Sequence, residues 1–499
     1  MTVRHADVVV VGGGSAGCVL AARLSDDPAR HVLLVEAGED PATPAPIGRL
    51  PLGPTSTVAT SYEVELTEGR SAFVPRGSAV GGSGAVNGAY FVRATDADFA
   101  RWPAAWSADA VLPYFRRVER DLDFTGPRHG ADGPVTVRRV AGDAAGAVTR
   151  SFADAARAAG WPAEPDKNAG GAGGVGPVPL NVDGDRRAST AHAYLDPARG
   201  RANLEIRTHT RVDRVVFRGD TVVGVDVVDG TEAGHGARQT VRASTVVLCA
   251  GAFETPCVLL RSGLGPADEL TALSIPVTND LPGVGRGFTD HPELLVPYAF
   301  DTGAHAESFS PARALLEACA NTPEFELRPY TAPFARSIEG LESIGGGVAA
   351  GLGLGVALMR TDSTGTLALD SADPTVPPRV RYGYLRTAHD RACAAAALDA
   401  AHDVLAAWRG VRFDPIRAGG AAPLPLELLG TSQHMCGSAR MGGVGDPGAV
   451  VDERCAVRGV RGLFVADASA IPVAPSRGPH ATVVMLAERA AEFVSSLSA

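Results

Sequence analysis

Residues 8 to 36 constrain this chain more than any other stretch. Val8-Val9-Val10-Val11 is a run of β-branched residues suited to a parallel strand buried on both faces. It runs into Gly12-Gly13-Gly14-Ser15-Ala16-Gly17, a helical segment, and His31-Val32-Leu33-Leu34-Val35-Glu36, so the order is strand, tight turn, helix, strand. Gly12, Gly14 and Gly17 fall on the dinucleotide-binding spacing. The first glycine permits the turn, the second lets a pyrophosphate reach the backbone, and the third lets helix and strand pack closely. The helix start, with Ser15 and Ala16 in it, presents free N–H groups and a positive dipole end to the phosphates. Glu36, nineteen residues after Gly17 and followed by Ala37, stands where a carboxylate accepts hydrogen bonds from an adenosine ribose. The acid argues against a 2′-phosphate and so against NADP. NAD and FAD share that ribose, and both remain open on these residues.

At 499 residues the chain exceeds one ordinary core, so two domains are expected. A net charge of −10, with no basic run, disfavours nucleic acid and anionic membrane surfaces as partners. Lys167 is the sole lysine. The glycine turn therefore lacks the lysine of a Walker loop, and Schiff-base chemistry would have to use Lys167 or nothing. The seven cysteines form no C-x-x-C pair and are odd in number, which points to a reducing cytoplasm without structural zinc. The first strand starts within eight residues of Met1, leaving no room for a signal peptide. The uncharged stretch Ile344 to Met359, 16 residues and rich in glycine, is too short for a membrane span. A cytoplasmic protein without a transmembrane segment is expected.

Further along, Pro41 to Pro54 reads as a proline-rich surface excursion. Pro75 to Tyr90 is dense in glycine, which implies backbone held close to something flat or charged, and Asn87 adds an amide able to pair with a heterocycle edge. Trp102, Trp106, Leu112, Phe115 and Val118 suggest a loop and then an amphipathic helix, with the aromatics in the core. Val148 to Ala159 has a helical pattern, Gly170 to Gly176 reads as a flexible loop, and residues 203 to 217 return to strand character. Thr245-Val246-Val247-Leu248-Cys249-Ala250-Gly251 repeats the opening theme, a buried strand ending in glycine where ligands bind. These returning strands imply a discontinuous cofactor domain with a substrate domain inserted between its pieces.

The glycine cluster resembles the first signature of the glucose-methanol-choline (GMC) family of FAD-dependent oxidoreductases, with Gly81-Gly82-Ser83 and Asn87-Gly88 in register. Gly251-Ala252-Phe253-Glu254-Thr255-Pro256 through Ser262-Gly263-Leu264-Gly265-Pro266 is similar to the second signature. Leu281-Pro282-Gly283-Val284-Gly285 and Asp290-His291-Pro292 are similar to the segment that follows it. The resemblance spans nearly the whole chain and is thinnest between Thr302 and Leu358; Ser78 departs from the family's usual lysine or arginine. It implies an α/β fold, with a Rossmann-like FAD-binding domain and an inserted α+β substrate-binding domain. The expected pieces are 1–135, 201–292 and 431–499 for FAD, and 136–200 and 293–430 for substrate.

The resemblance also implies site residues. Val212 matches an adenine contact made by backbone, and Asp467, followed by Ala468, matches a contact to the flavin's ribityl or pyrophosphate portion. Asp467 also reads as an N-cap for the final helix. His434, in Thr431-Ser432-Gln433-His434-Met435-Cys436-Gly437, matches the family's active-site histidine. His480, in Pro479-His480-Ala481, matches its partner position, and Ala481 joins the expected cofactor contacts. Some members attach FAD through a histidine immediately before the signature asparagine; Val86 stands there, so non-covalent FAD is expected. No second ligand pair accompanies His434 and Cys436, and no metal is expected.

Alcohol oxidation on a flavin moves a hydride to N5 and removes the hydroxyl proton, a task suited to imidazole near neutral pH. The reading is an FAD-dependent alcohol dehydrogenase or oxidase acting on a small-molecule alcohol, with His434 as base, His480 as hydrogen-bond partner and an unknown electron acceptor. Alternatives are a choline- or aryl-alcohol-type dehydrogenase, a flavin-containing hydroxynitrile-type lyase and a redox-silent binding protein. The form His434-Met435-Cys436-Gly437-Ser438-Ala439-Arg440-Met441-Gly442 is similar to a branch associated with mycofactocin, which implies reduced mycofactocin as a hydride donor.

Overall fold

The computed structural model describes residues 5–41, 43–230, 238–301, 309–338, 341, 351–415 and 423–496. The opening valines form β1 (His5–Val11), the glycine turn leads into α1 (Ser15–Leu24), and β2 follows (Val32–Val35). β1 lies parallel between β2 and the strand Arg238–Leu248, with Val11 opposite both Val35 and Leu248. Leu204–Arg207 extends the sheet beyond β2. The other edge of Arg238–Leu248 is shared. Its residues 238–242 pair antiparallel with Thr221–Asp229, and 246–248 pair parallel with Leu463–Val465. Thr210–Arg218 closes that side. Val9 and Val10 are fully buried, as a two-sided strand requires.

On this sheet α1 packs against the final helix, His480–Ser495. Arg23, in the last turn of α1, donates to the buried Glu488 at 2.8 Å, and Tyr194 donates to the same carboxylate at 2.6 Å. The expected aromatic helix is Ala108–Val118, with Trp106, Phe115 and Val118 buried.

A second, antiparallel sheet runs Val411–Arg412, Pro292–Phe300, Leu352–Leu358, Phe325–Pro329, Ala318–Asn321, Gly174–Pro177, with Leu429–Thr431 also pairing on Pro292–Phe300. The helix Ala388–Ala407 covers it, capped by the Thr387 hydroxyl, which accepts from the Asp390 N–H. A five-stranded sheet joins the hairpin Ala59–Thr67 and Arg70–Gly77 to Arg379–Arg381, Gly365–Ala368 and Arg286–Phe288.

Two stretches differ from their sequence reading. Gly174–Pro177 is an edge strand where a loop was expected, because a Cβ at Gly176 would lie 1.8 Å from the Glu164 carbonyl oxygen and only glycine admits that approach. Pro41 to Pro54 is no simple surface excursion. Ile47 and Leu50 are buried, and the buried Arg187 guanidinium donates to the carbonyls of Ala45, Pro46, Ile47, Arg49 and Asn87. Burial without a carboxylate partner pushes the Arg187 pKa down to about 10.

One buried cluster of charges is ion-paired throughout. Glu119, Asp121 and His129 have ligand-type atoms close together, but Arg93 reaches Glu119, Arg139 reaches Asp121 and Asp166 at 2.9 Å, and His129 itself lies 2.9 Å from Asp166. Lys167 is committed likewise, its Nζ donating to Glu164 Oε2 at 2.8 Å and Asn321 Oδ1 at 2.5 Å. Replacing Lys167 with Met leaves Glu164 buried without its cation. Urea unfolding of that variant is expected to show a loss of about 3 kcal/mol, whereas a loss below about 1 kcal/mol would mean the pair is solvated.

Candidate active site

The register of the parallel strands builds the site. Val11, Val35, Leu248 and Val465 end level, so Gly12, Glu36, Cys249 and Ala466 leave the sheet along one edge. Ligands of open α/β sheets bind in the crevice outside that edge. Gly12 adopts φ +96°, and a Cβ there would stand 2.6 Å from the Cys249 carbonyl oxygen. A Cβ at Gly17 would stand 1.9 Å from the Gly12 carbonyl oxygen, the close helix-to-strand packing assigned to the third glycine. Glu36 is held at the edge by the Gly13 N–H at 2.7 Å and the Gly38 N–H at 2.9 Å. Burial raises its pKa, and these bonds oppose the rise.

The second glycine cluster lies on the first turn of α1. The Gly81 N–H donates to the Gly13 carbonyl at 2.7 Å, and a Cβ at Gly82 would stand 2.7 Å from the Gly14 Cα. A Cβ at Gly84 would meet Ser15 Oγ at 2.5 Å and His480 Cε1 at 2.9 Å. Two glycine-rich loops and the start of the final helix thus leave a backbone-lined cradle that any side chain would fill.

A cavity of about 870 Å³ runs along this cradle. Gly12, Gly14, Ser15, Ala16, Glu36, Ala37 and Val212 line one stretch of it; Gly82, Ser83, Asn87, Gly88, Gly251, Asp467 and Ala468 line another. His434 and His480 line it as well. Gly17, Gly81 and Ala481 are not on the wall and shape it from behind. The Asn87 Oδ1 accepts from the Ala89 N–H at 2.8 Å, leaving its NH2 group as the donor available to a ligand. The glycine cradle, the exposed N–H groups of α1 and the carboxylate of Glu36 fit an adenine dinucleotide of the FAD kind.

Asp467 is not the cap of the final helix, whose N-cap is Pro479. It caps the short turn Ala468–Ala470, accepting at Oδ1 from Ser469, while Oδ2 takes the Gly251 N–H at 2.8 Å and the Thr255 hydroxyl at 2.6 Å. Sequence distance hid this, since proximity to the last helix suggested the wrong partner.

His434 follows Gln433, a non-glycine residue at φ +64°. That conformation costs about 1–3 kcal/mol, and its neighbours hold it there. The Gln433 N–H donates to Thr431 Oγ1 at 2.9 Å, and its carbonyl accepts from Arg76 at 2.8 Å. The His434 N–H donates to Asp290 Oδ1 at 2.7 Å. Its Nδ1 lies 2.8 Å from the Nδ1 of His291, with the rings edge to face. Burial, then the charges of Arg328 and Arg76, hold His434 well below the usual imidazole range, with His291 adding to the effect. Burial pushes His291 down to about 3 and His480 down to about 4. All three rings are therefore neutral at pH 7. His480 opens the final helix and meets Phe91 edge to face at 5.5 Å. Cys436 is buried with a raised thiol pKa.

Sequence reasoning gave Asp290 and His291 no role. The only signal was their adjacency in Asp290-His291-Pro292; it is the pairing of Pro292 with Thr431 that brings them beside His434.

Comparison with known proteins agrees with this architecture. The N-terminal GMC oxidoreductase family model matches residues 6–293 and the C-terminal one residues 361–487. A GMC-type oxidoreductase of Rhodococcus erythropolis, called uncharacterized, is 45% identical over 98% of both chains. An oxygen-dependent choline dehydrogenase of Burkholderia ambifaria is 32% identical over 99% of this chain and 94% of its own. The crystal structure of a pyridoxine 4-oxidase from Mesorbium loti superposes with a TM-score of 0.87 at 31% identity, covering 98% of this chain and 99% of that one.

Gly88→Val tests the cradle, because Gly88 lines the cavity and a Cβ there meets no protein atom within 4 Å. Calorimetric titration of the apoprotein with FAD is expected to show affinity lowered by about tenfold or more, since overpacking a filled site costs about 1–3 kcal/mol; unchanged affinity would mean that the dinucleotide does not approach Gly88.

Proposed function

The chain belongs to the GMC oxidoreductase family, and we propose that it oxidises the CH–OH group of a small-molecule alcohol, with FAD bound non-covalently and His434 as the base. The observation that carries this reading is the placing of two neutral imidazoles, His434 and His480, on the wall of one cavity with the dinucleotide cradle. FAD, when bound, supplies the hydride acceptor. Gly12, Gly14, Ser15, Ala16 and Glu36 would hold its adenosine and pyrophosphate end; Gly82, Ser83, Asn87 and Gly88 would hold its ring end. Val86, in place of a histidine before Asn87, supports non-covalent attachment. We assign cofactor binding to residues 1–135, 201–292 and 431–499, and substrate binding to 136–200 and 293–430.

The histidine pair has a directional logic. His291, neutral and buried, accepts at Nδ1 a hydrogen bond from the N–H at His434 Nδ1, which leaves the His434 Nε2 lone pair to take the substrate's hydroxyl proton. Asp290 steadies the arrangement by accepting from the backbone N–H of both histidines. His480 orients the substrate oxygen and stabilises its alkoxide character.

An anaerobic visible spectrum before and after adding alcohols or reduced mycofactocin separates these activities. Bleaching by an alcohol supports the reading. Bleaching by reduced mycofactocin alone would favour the donor that the His434–Gly442 resemblance implies. Aldehyde release with the flavin band intact would favour the lyase.

His434→Ala is expected to slow flavin reduction by about 10²–10⁴-fold, the usual contribution of a positioned base, with flavin content unchanged as read from absorbance. Because the pKa of His434 is depressed, its basic form already dominates at neutrality. The kcat/KM profile is expected to be flat above pH 7 and to fall only on the acid side, below about 6.5. An acid limb centred above pH 7 would assign the base elsewhere.

A further inference from the structure

Resting on the reading of this cavity as an alcohol-oxidising site, we infer that its substrate carries an uncharged, apolar tail, alkyl or aryl. Two features of the wall beyond His434 support this.

Glu293 and Arg328 on the cavity wall, with Glu326 behind them, are joined in one hydrogen-bonded network. Glu293 Oε2 accepts from Arg328 at 3.0 Å and from Ser432 at 2.7 Å, while its Oε1 accepts from Tyr330 at 2.6 Å. Arg328 also donates to Glu326 at 2.9 Å, and Glu326 accepts from Tyr90 at 2.6 Å. Glu293, Glu326 and Arg328 are all buried. Glycine makes room for this network, since a Cβ at Gly355 would stand 2.2 Å from Glu293 Oε1. The oxygens of Glu293 and Glu326 thus already have protein donors, and Arg328 offsets part of their charge. The flanking Arg76 is likewise engaged, donating to the Gln433 carbonyl and lying 4.8 Å over the Phe253 ring.

Beyond Tyr330 the wall changes character. Leu295 is two residues after Glu293 and so on the same face of its strand. Phe334 packs on Tyr330 with ring centres 4.7 Å apart, and Leu50, Leu315 and Ile338 join them in one apolar cluster. Leu50 and Leu315 are fixed by backbone bonds, Leu50 N–H to Ser337 and Thr331 N–H to Leu315, both at 2.9 Å. All these side chains line the same cavity as His434. A hydroxyl placed at His434 therefore has imidazoles and hydrogen-bonded polar groups around its head and aliphatic and aromatic surface along its tail, which favours release of water from an apolar chain.

The test uses the holoenzyme under anaerobic conditions, with flavin reduction followed by stopped flow for 1-butanol, 1-hexanol, 1-octanol, 3-phenyl-1-propanol, choline and glucose. The second-order rate of reduction is expected to rise about fourfold per methylene that enters the wall, with choline and glucose below 1-butanol. Tertiary alcohols have no hydride to give. Their dissociation constants, read from perturbation of the flavin spectrum, are expected to fall with tail length in the same way. Phe334→Ala, and independently Leu295→Ala, should slow flavin reduction by 1-octanol more than reduction by 1-butanol, with flavin content unchanged as read from absorbance, which a misfolded variant would not show. Choline or glucose reducing the flavin faster than 1-octanol, or variants that slow both alcohols equally, would overturn the inference. If no alcohol reduces the flavin but tertiary alcohols still bind by tail length, the oxidation reading fails and the apolar pocket stands.

Discussion

The level ending of four parallel strands is the constraint on which the rest of the molecule depends. With Val11 opposite Val35 and Leu248, and Leu248 opposite Val465, a turn glycine, the Glu36 carboxylate and the entry to two further loops emerge at one edge. A shift of one residue in any strand would turn its valines and leucines to the opposite face and move its loop out of reach. Close packing then favours glycine at Gly12, Gly17, Gly82 and Gly84, because a Cβ at each would stand between 1.9 and 2.7 Å from another backbone or side-chain atom.

Two buried carboxylates organise the loops that this edge releases. Asp467 ties the end of Leu463–Val465 to the start of the helix Gly251–Arg261 and to its own turn, using both oxygens. Asp290 collects the backbone N–H groups of His291 and His434, at 2.6 and 2.7 Å. Burial raises the pKa of Asp467 and pushes Asp290 up to about 6, a cost that the donated bonds partly offset. Each acid thus accepts several hydrogen bonds from the protein and so places its neighbouring groups.

The same division explains why the two histidines stay neutral. Desolvation and nearby arginines disfavour imidazolium at His434, and desolvation does so at His480, so the neutral form is favoured at both. The strain at Gln433 is tolerated because both of its backbone polar groups are anchored. The loop is consequently rigid on one side and open to the cavity on the other.

Residues 8 to 36 were legible in the sequence because their constraints are local: a β-branched run, a glycine spacing and an acid at fixed distance act within one supersecondary unit. The family resemblance made His434, His480 and the glycine cluster legible too, residue by residue. Arg187 under the Pro41–Pro54 segment, the true partners of Asp467, the pairing of His291 with His434 and the Glu293–Arg328–Tyr330 network were not. Each joins residues brought together by strand pairing over tens to hundreds of positions, and nothing in the local pattern of either partner specifies the other. Periodicity and turn chemistry act over a few residues, whereas a buried hydrogen bond depends on where the whole sheet places its ends.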